Sequence, residues 1–156
     1  MSRSDTLFLS GAGEVTQDWD RLATYLAEQG ITLNSDPAPR QFSSGFGNLN
    51  YLISVDGQMR VLRRPPMGSV QPGSNDMGRE SRILMRLWRA FPLAPRCHHF
   101  CNDPSILGAR FFIMEYRRGM VIGGTMPDGL PANAGLGLGR MLAEQLAAFH
   151  AVDPAA

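Results

Sequence analysis

Residues 49–63 fold back on themselves. Tyr51, Ile53 and Val55 alternate with Leu52 and Ser54, Asp56-Gly57 supplies a two-residue turn, and 59–63 return with Val61 at their centre. The pattern specifies a β-hairpin. A lone hairpin is marginal in water, so other elements have to cover it.

Further strands are expected at 96–102 and 110–116, joined by a turn over 103–108, with Gln41-Phe42 as a fifth. A helix is expected over 16–29. Trp19, Leu22, Ala23 and Leu26 recur at helical spacing, Asp18 and Asp20 suit its positive end, and Gly30 stops it. Residues 34–40 read as a connector, and 65–75 as a loop rich in Pro, Gly, Ser and Gln. Asp76 opens a second helix with Ile83, Leu84, Leu87, Trp88 and Phe91 as its apolar stripe, ended by Pro92 and Pro95. After Arg117-Arg118-Gly119 the chain is Gly- and Pro-rich up to Gly135. A last helix over 136–152 carries Leu138, Leu142, Leu146 and Phe149 on one side. Runs of antiparallel strands with an inserted helix predict an α+β sheet with a helix packed on one face.

Composition narrows the chemistry. The 156 residues suit one compact domain, and fifteen basic against fourteen acidic side chains argue against a nucleic-acid binder that works by charge excess. All fifteen basic residues are arginine, which excludes a Schiff base or a P-loop lysine in this chain. The longest strongly apolar run, Phe111-Phe112-Ile113-Met114, is far short of a membrane span, and Leu7-Phe8-Leu9 is too short for the core of a signal peptide. Two cysteines close in sequence make no disulfide framework. The expectation is a cytoplasmic protein with no membrane partner.

Several groups invite a chemical reading. The loop Ser43 to Asn50 could cradle a phosphate, its small residues letting backbone N–H groups approach and its Ser and Asn side chains donating further bonds, and it equally suits an ordinary tight turn. The following segment reads as a strand, unlike the helix of a dinucleotide fingerprint. Arg63 and Glu80 are either two unrelated surface charges or a pair in which the carboxylate aims the guanidinium at a phosphate. Cys97-His98-His99-Cys101 suggests a metal, but an extended strand would hold the two sulfurs roughly 13 Å apart at ~3.3 Å per residue, too far for one tetrahedral zinc. Asp18 and Asp20 point to different sides of a helix and do not converge.

Five strings, in order, carry a resemblance: Asn50-Tyr51-Leu52; Val61-Leu62-Arg63-Arg64-Pro65-Pro66; Asp76-Met77-Gly78-Arg79-Glu80; Asn102-Asp103-Pro104-Ser105-Ile106-Leu107-Gly108; and Phe111-Phe112-Ile113-Met114-Glu115-Tyr116 with Gly119. Together they resemble the aminoglycoside-phosphotransferase-like kinases, in particular the branch related to the kinase-like domains fused to acyl-CoA dehydrogenases. The resemblance covers 41–150. It implies a protein-kinase-like N-terminal lobe at 41–119, a five-stranded antiparallel sheet with one packed helix. An N-terminal helix and connector at 1–40 would precede it, and a linker with the first helix of a larger lobe would follow at 120–156.

By that resemblance Ser44, Gly45, Gly47 and Asn48 cover the phosphates of ATP or GTP. Arg63 stands where kinases carry a phosphate-binding lysine, held by Glu80. Met114, Glu115, Tyr116 and Arg117 form the hinge, with the Glu115 carbonyl and the Arg117 amide bonding the purine. The family's H-G-D catalytic loop, followed four residues later by Asn, is not found: His98, His99 and His150 are followed two residues on by Phe100, Cys101 and Val152. The chain alone is therefore expected to be inactive, with Mg2+ needed only once a second lobe supplies ligands. A small-molecule acceptor belongs to the full-length protein. The alternative is a non-catalytic nucleotide-binding or interaction module, a homodimer through the Leu138, Leu142, Leu146, Phe149 stripe.

Overall fold

The computed structural model describes residues 7–44, 47–68, 75–120, 122, 126–127, 129–131 and 133–153. Its centre is an antiparallel sheet of β1 (Leu33–Asn34), β2 (Arg40–Gln41), β3 (Leu49–Val55), β4 (Gln58–Arg64), β5 (Cys97–Cys101) and β6 (Phe111–Glu115). The order is β1-β3-β4-β6-β5, with β2 also on β3. The five expected strands are present. The expected connector at 34–40 differs, because both its ends pair with β3: Asn34 faces Ser54 and Arg40 faces Leu52. β1 and β2 thus act as one edge strand with a break around the cis Asp36–Pro37 peptide. Outside this edge, Phe8 bridges Phe42, and Leu9 N and Ser43 N donate to the carbonyls of Gln41 and Leu7, both at 2.9 Å.

The hairpin forms as its turn residues dictate. Asp56 and Gly57 both have positive φ, 49° and 72°, the twist that joins right-handed strands through two residues. Its register pairs Val55 with Gln58 and, seven pairs out, Leu49 with Arg64.

Helices cover both faces. Helix α1 (Trp19–Glu28) starts where the Asp18 carboxylate accepts from Arg21 N at 2.9 Å, and it buries Leu22 and Leu26 completely. These leucines pack on Tyr51, Ile53, Leu62, Phe111, Ile113 and Cys101. Full burial of one leucine contributes about 1.5–3 kcal/mol. Helix α2 (Met77–Ala90), capped by Asp76, lies on the other face, where Met77 and Leu84 meet Cys97, Phe100, Phe112 and Met114. The face it buries is Met77, Gly78 and Ser81 near its start. Ile83, expected in the apolar stripe, is 51% exposed because only the first turns of the helix lie over the sheet.

A β-bulge alters the strand reading at 97–101. Cys97 pairs with Met114, but His99 pairs with Ile113, so the extra residue turns Cys97 to the α2 face while Cys101 stays on the α1 face. Helix α3 (Ala134–His150) buries no residue, and Phe149 meets Phe91 with ring centroids 5.5 Å apart. Among the described residues no helix is long and apolar enough to cross a membrane.

Candidate functional site

Alternation along β4 sends its two adjacent arginines to opposite faces of the sheet. Arg63 emerges on the α2 face. Its Nε donates to Glu80 Oε2 at 2.9 Å, and the two side chains keep 27% and 31% of their accessibility. Glu80 is in reach because Asp76 starts the helix one turn earlier; the Arg79 N–H bonded to the Asp76 carboxylate also holds that acid below the usual aspartate range. The two charges predicted as a pair are a pair.

Two further groups hold the same guanidinium. Asn50, directly opposite Arg63 in the hairpin register, accepts from Arg63 Nη1 at 3.2 Å. With its amide oriented so that Nδ2 donates to the Gly47 carbonyl at 3.0 Å, Asn48 accepts from Arg63 Nη2 at 2.7 Å through Oδ1. Asn75 Nδ2 donates to that same Gly47 carbonyl at 2.8 Å, from a backbone at φ 54° that asparagine tolerates. Ser44 and Gly47 are exposed, and Gly45 lies outside the described residues.

The segment 114–117 runs along the neighbouring strand. Met114 packs on the Met77, Cys97 and Phe112 cluster, and Glu115 ends β6 with its N–H donating to Arg96 O at 2.8 Å. The Arg117 side chain turns away from the sheet face, to Glu115 Oε2 and the Pro92 carbonyl, each at 2.9 Å. Tyr116, at the end of β6, and Phe42, at the end of β2, bring their rings to 6.2 Å, although β3 and β4 lie between those strands. Strands lie ~4.8 Å apart, so the sheet curls to allow that contact. Leu52 and Val61, paired in register, give the face between them an apolar floor.

On the opposite face Arg64 is 2% exposed. It donates to Gln17 Oε1 at 2.6 Å and to the Leu107 and Pro65 carbonyls, and Gln17 in turn donates to the Tyr51 hydroxyl at 2.8 Å. Burial lowers the Arg64 pKa and raises that of Tyr51. This is a structural hub facing the core.

The remaining candidates stay apart. The bulge places the two sulfurs on different faces, burial pushes the Cys97 thiol up to about 11, and no metal-binding group of three His, Cys, Asp or Glu occurs among the described residues. His99 accepts or donates at 3.0 Å to the Tyr25 hydroxyl, and burial lowers its pKa. Asp18 caps α1. Asn75 and the Gln17–Arg64 hub were not singled out by sequence reasoning, and Asn50 was named as part of a phosphate-cradling loop but not as a partner of Arg63. For Asn50 a signal existed, since counting outward from the two-residue turn places it opposite Arg63.

Comparison with known proteins matches these features. Residues 38–156 fit the model of the phosphotransferase enzyme family. The chain is 31% identical over 113 residues to mouse acyl-CoA dehydrogenase family member 10, covering 72% of this chain and 11% of that protein. It is also 31% identical over 116 residues to chicken acyl-CoA dehydrogenase family member 11, covering 73% and 14%. The chain thus spans about a tenth to a seventh of the length of these relatives. A Ralstonia eutropha crystal structure named "putative aminoglycoside phosphotransferase" superposes with a TM-score of 0.62 at 22% identity, over 88% of this chain and 39% of that one, a likeness of fold. With the family model fitting everything from residue 38 onward, the chain belongs to the phosphotransferase enzyme family.

Proposed function

We propose that this chain is the nucleotide-binding part of a phosphotransferase that takes a phosphoryl group from ATP or GTP for a small-molecule acceptor. The observation that carries the reading is the Arg63–Glu80 pair, 2.9 Å apart and partly accessible on the α2 face, with Asn48 beside it. A guanidinium fixed by a carboxylate on one edge presents its other N–H groups to phosphate oxygens. Gly47 and Asn48 add donors beside it, and by the resemblance Ser44 and Gly45 do so too. The purine lies over Leu52 and Val61 and bonds the Glu115 carbonyl and Arg117 N–H, with Met114 and Tyr116 beside it.

In this reading 41–119 bind the nucleotide, 1–40 brace the sheet, and 120–156 lead into the acceptor-binding part. The sequence has no H-G-D string followed four residues later by Asn, so the catalytic base comes from elsewhere in the full-length protein. Among the described residues no group of three His, Cys, Asp or Glu could hold Mg2+.

The test is a titration of the 15N-labelled chain with ATP, GTP and ADP into the millimolar range. Shifts are expected at Gly47, Asn48, Arg63 and 114–117, with weak affinity because the cleft is half built. No shift at these residues overturns the reading, and micromolar binding overturns the half-cleft argument.

One observation favours a second reading, a non-catalytic module that self-associates: of the expected stripe on α3, Leu142, Leu146 and Phe149 are 63%, 48% and 43% exposed, while Leu138 is half-buried. Sedimentation velocity of the wild type and of L142E/L146E separates the two. Concentration-dependent dimers that the double substitution abolishes support association through α3, and a clean monomer at high concentration removes it.

A further inference from the structure

We infer that Asn50 is a positioning residue that adapts this cleft to arginine, and the inference rests on the nucleotide reading above. Arg63 engages three partners, Glu80 through Nε, Asn50 through Nη1 and Asn48 through Nη2. A guanidinium has five N–H groups, so two stay free for a ligand after all three contacts are made. A lysine ammonium has three donors on one atom. If it met the same partners it would have none left, and a single nitrogen cannot span acceptors placed around a planar fork.

The three partners also define a plane. Glu80 reaches in from α2, while Asn50 on β3 and Asn48, just before that strand, hold the far nitrogens Nη1 and Nη2. Asn50 is the fixed member, because the hairpin register sets it opposite Arg63. Asn48 is the member tied to the loop, through Gly47, whose carbonyl Asn75 also holds. Glu80 alone would leave the guanidinium free to rotate about its one bonded edge. With Asn50 in place, the uncommitted N–H groups keep one orientation on the face flanked by the loop. The specificity that follows is for the phosphate end of the ligand, because Asn50 has no role against the purine.

The experiment compares wild type, N50A, R63K and N50A/R63K in binding ATP and adenosine, and follows the Arg63 side-chain NMR signals without ligand. N50A is expected to weaken ATP about fivefold to tenfold and to leave adenosine unchanged, a split that general loosening of the fold does not give. R63K is expected to weaken ATP at least as much, with no further loss in N50A/R63K. Without ligand, rotation about the Arg63 Cζ–Nη bonds is restricted in wild type and released in N50A. ATP affinity unchanged in N50A or in R63K overturns the inference. If wild type binds neither ATP nor adenosine, the nucleotide reading fails and the ligand-free measurement decides: restricted rotation released by N50A sustains the clamp, and free rotation in wild type ends it.

Discussion

Arg63 and Arg64 are neighbours of identical chemistry, and their replacement by methionine is expected to differ severalfold in effect. Arg63 keeps 27% of its accessibility and Glu80 31%, so water and salt screen their attraction. Exposed pairs contribute about 0.2–1 kcal/mol, and the partners freed by R63M can rehydrate, so a loss of about 1 kcal/mol or less follows. Arg64 is 2% exposed. Its removal strands the Gln17 amide oxygen and the Leu107 carbonyl in the interior. Each orphaned acceptor costs about 1–3 kcal/mol. Part of that is offset, because a buried guanidinium carries its own desolvation penalty, the cause of its lowered pKa. The net loss for R64M is about 2–4 kcal/mol. Urea unfolding followed by tryptophan fluorescence reads both, since Trp19 stacks edge-on against Tyr51 at 5.2 Å, beside the hub. At a slope of about 1–3 kcal/mol/M, R64M moves the midpoint by about 1–2 M and R63M by well under 1 M. If R64M does not accumulate as folded protein, Q17A removes one acceptor and is expected to cost about 1–2 kcal/mol. Equal losses for R63M and R64M, or R64M and Q17A both within about 0.5 kcal/mol of wild type, would refute the reasoning.

Three further outcomes are expected. Burial holds His99 neutral in the folded chain, with its pKa below the ordinary value, whereas the unfolded chain takes up the proton near pH 6.5. Stability is then full above about pH 6.5 and falls as pH drops through that value toward the folded pKa. Urea midpoints between pH 7.5 and 5.5 should show the fall, and H99Q should flatten it without abolishing it, because His98 is shifted the same way. Removing the Asp18 cap in D18A should cost about 1 kcal/mol, read by the same melts, with no change expected in nucleotide titrations. Cys97 and Cys101, 5% and 1% exposed, should both resist a thiol reagent in native buffer and react in urea; rapid native labelling of either would contradict their burial.

The hairpin and the Asp76 start of α2 were legible because local chemistry decides them: a turn that needs positive φ and an aspartate cap. Helix α1 starts at Trp19, three residues later than expected, and the Arg63–Glu80 pairing followed from the resemblance rather than from the residues alone. What escaped was set by tertiary contact. Nothing local marks Leu33 and Asn34 as strand, since two residues carry no pattern and their partner is twenty residues away. The bulge at 97–99 was equally silent, and it reverses which face Cys97 occupies. The apolar residues of α2 were read as one stripe, yet the sheet reaches only the first part of it, leaving Ile83 in a cleft of about 970 Å³ between α2 and α3. The clamp around Arg63 lay between these cases, with Asn50 derivable from the turn and Asn75 not.

The short bridge from Phe8 to Phe42 has a practical bearing. By satisfying the outward amide of Ser43 and carbonyl of Gln41, residues 7–9 close the rim of the sheet that another chain would otherwise extend. Trimming the first ten residues to tidy an expression product would bare that rim and invite strand-by-strand stacking between molecules, which a sizing column cannot tell from helix-mediated dimers. The head of the chain is best left intact and any fusion tag carried at the other end.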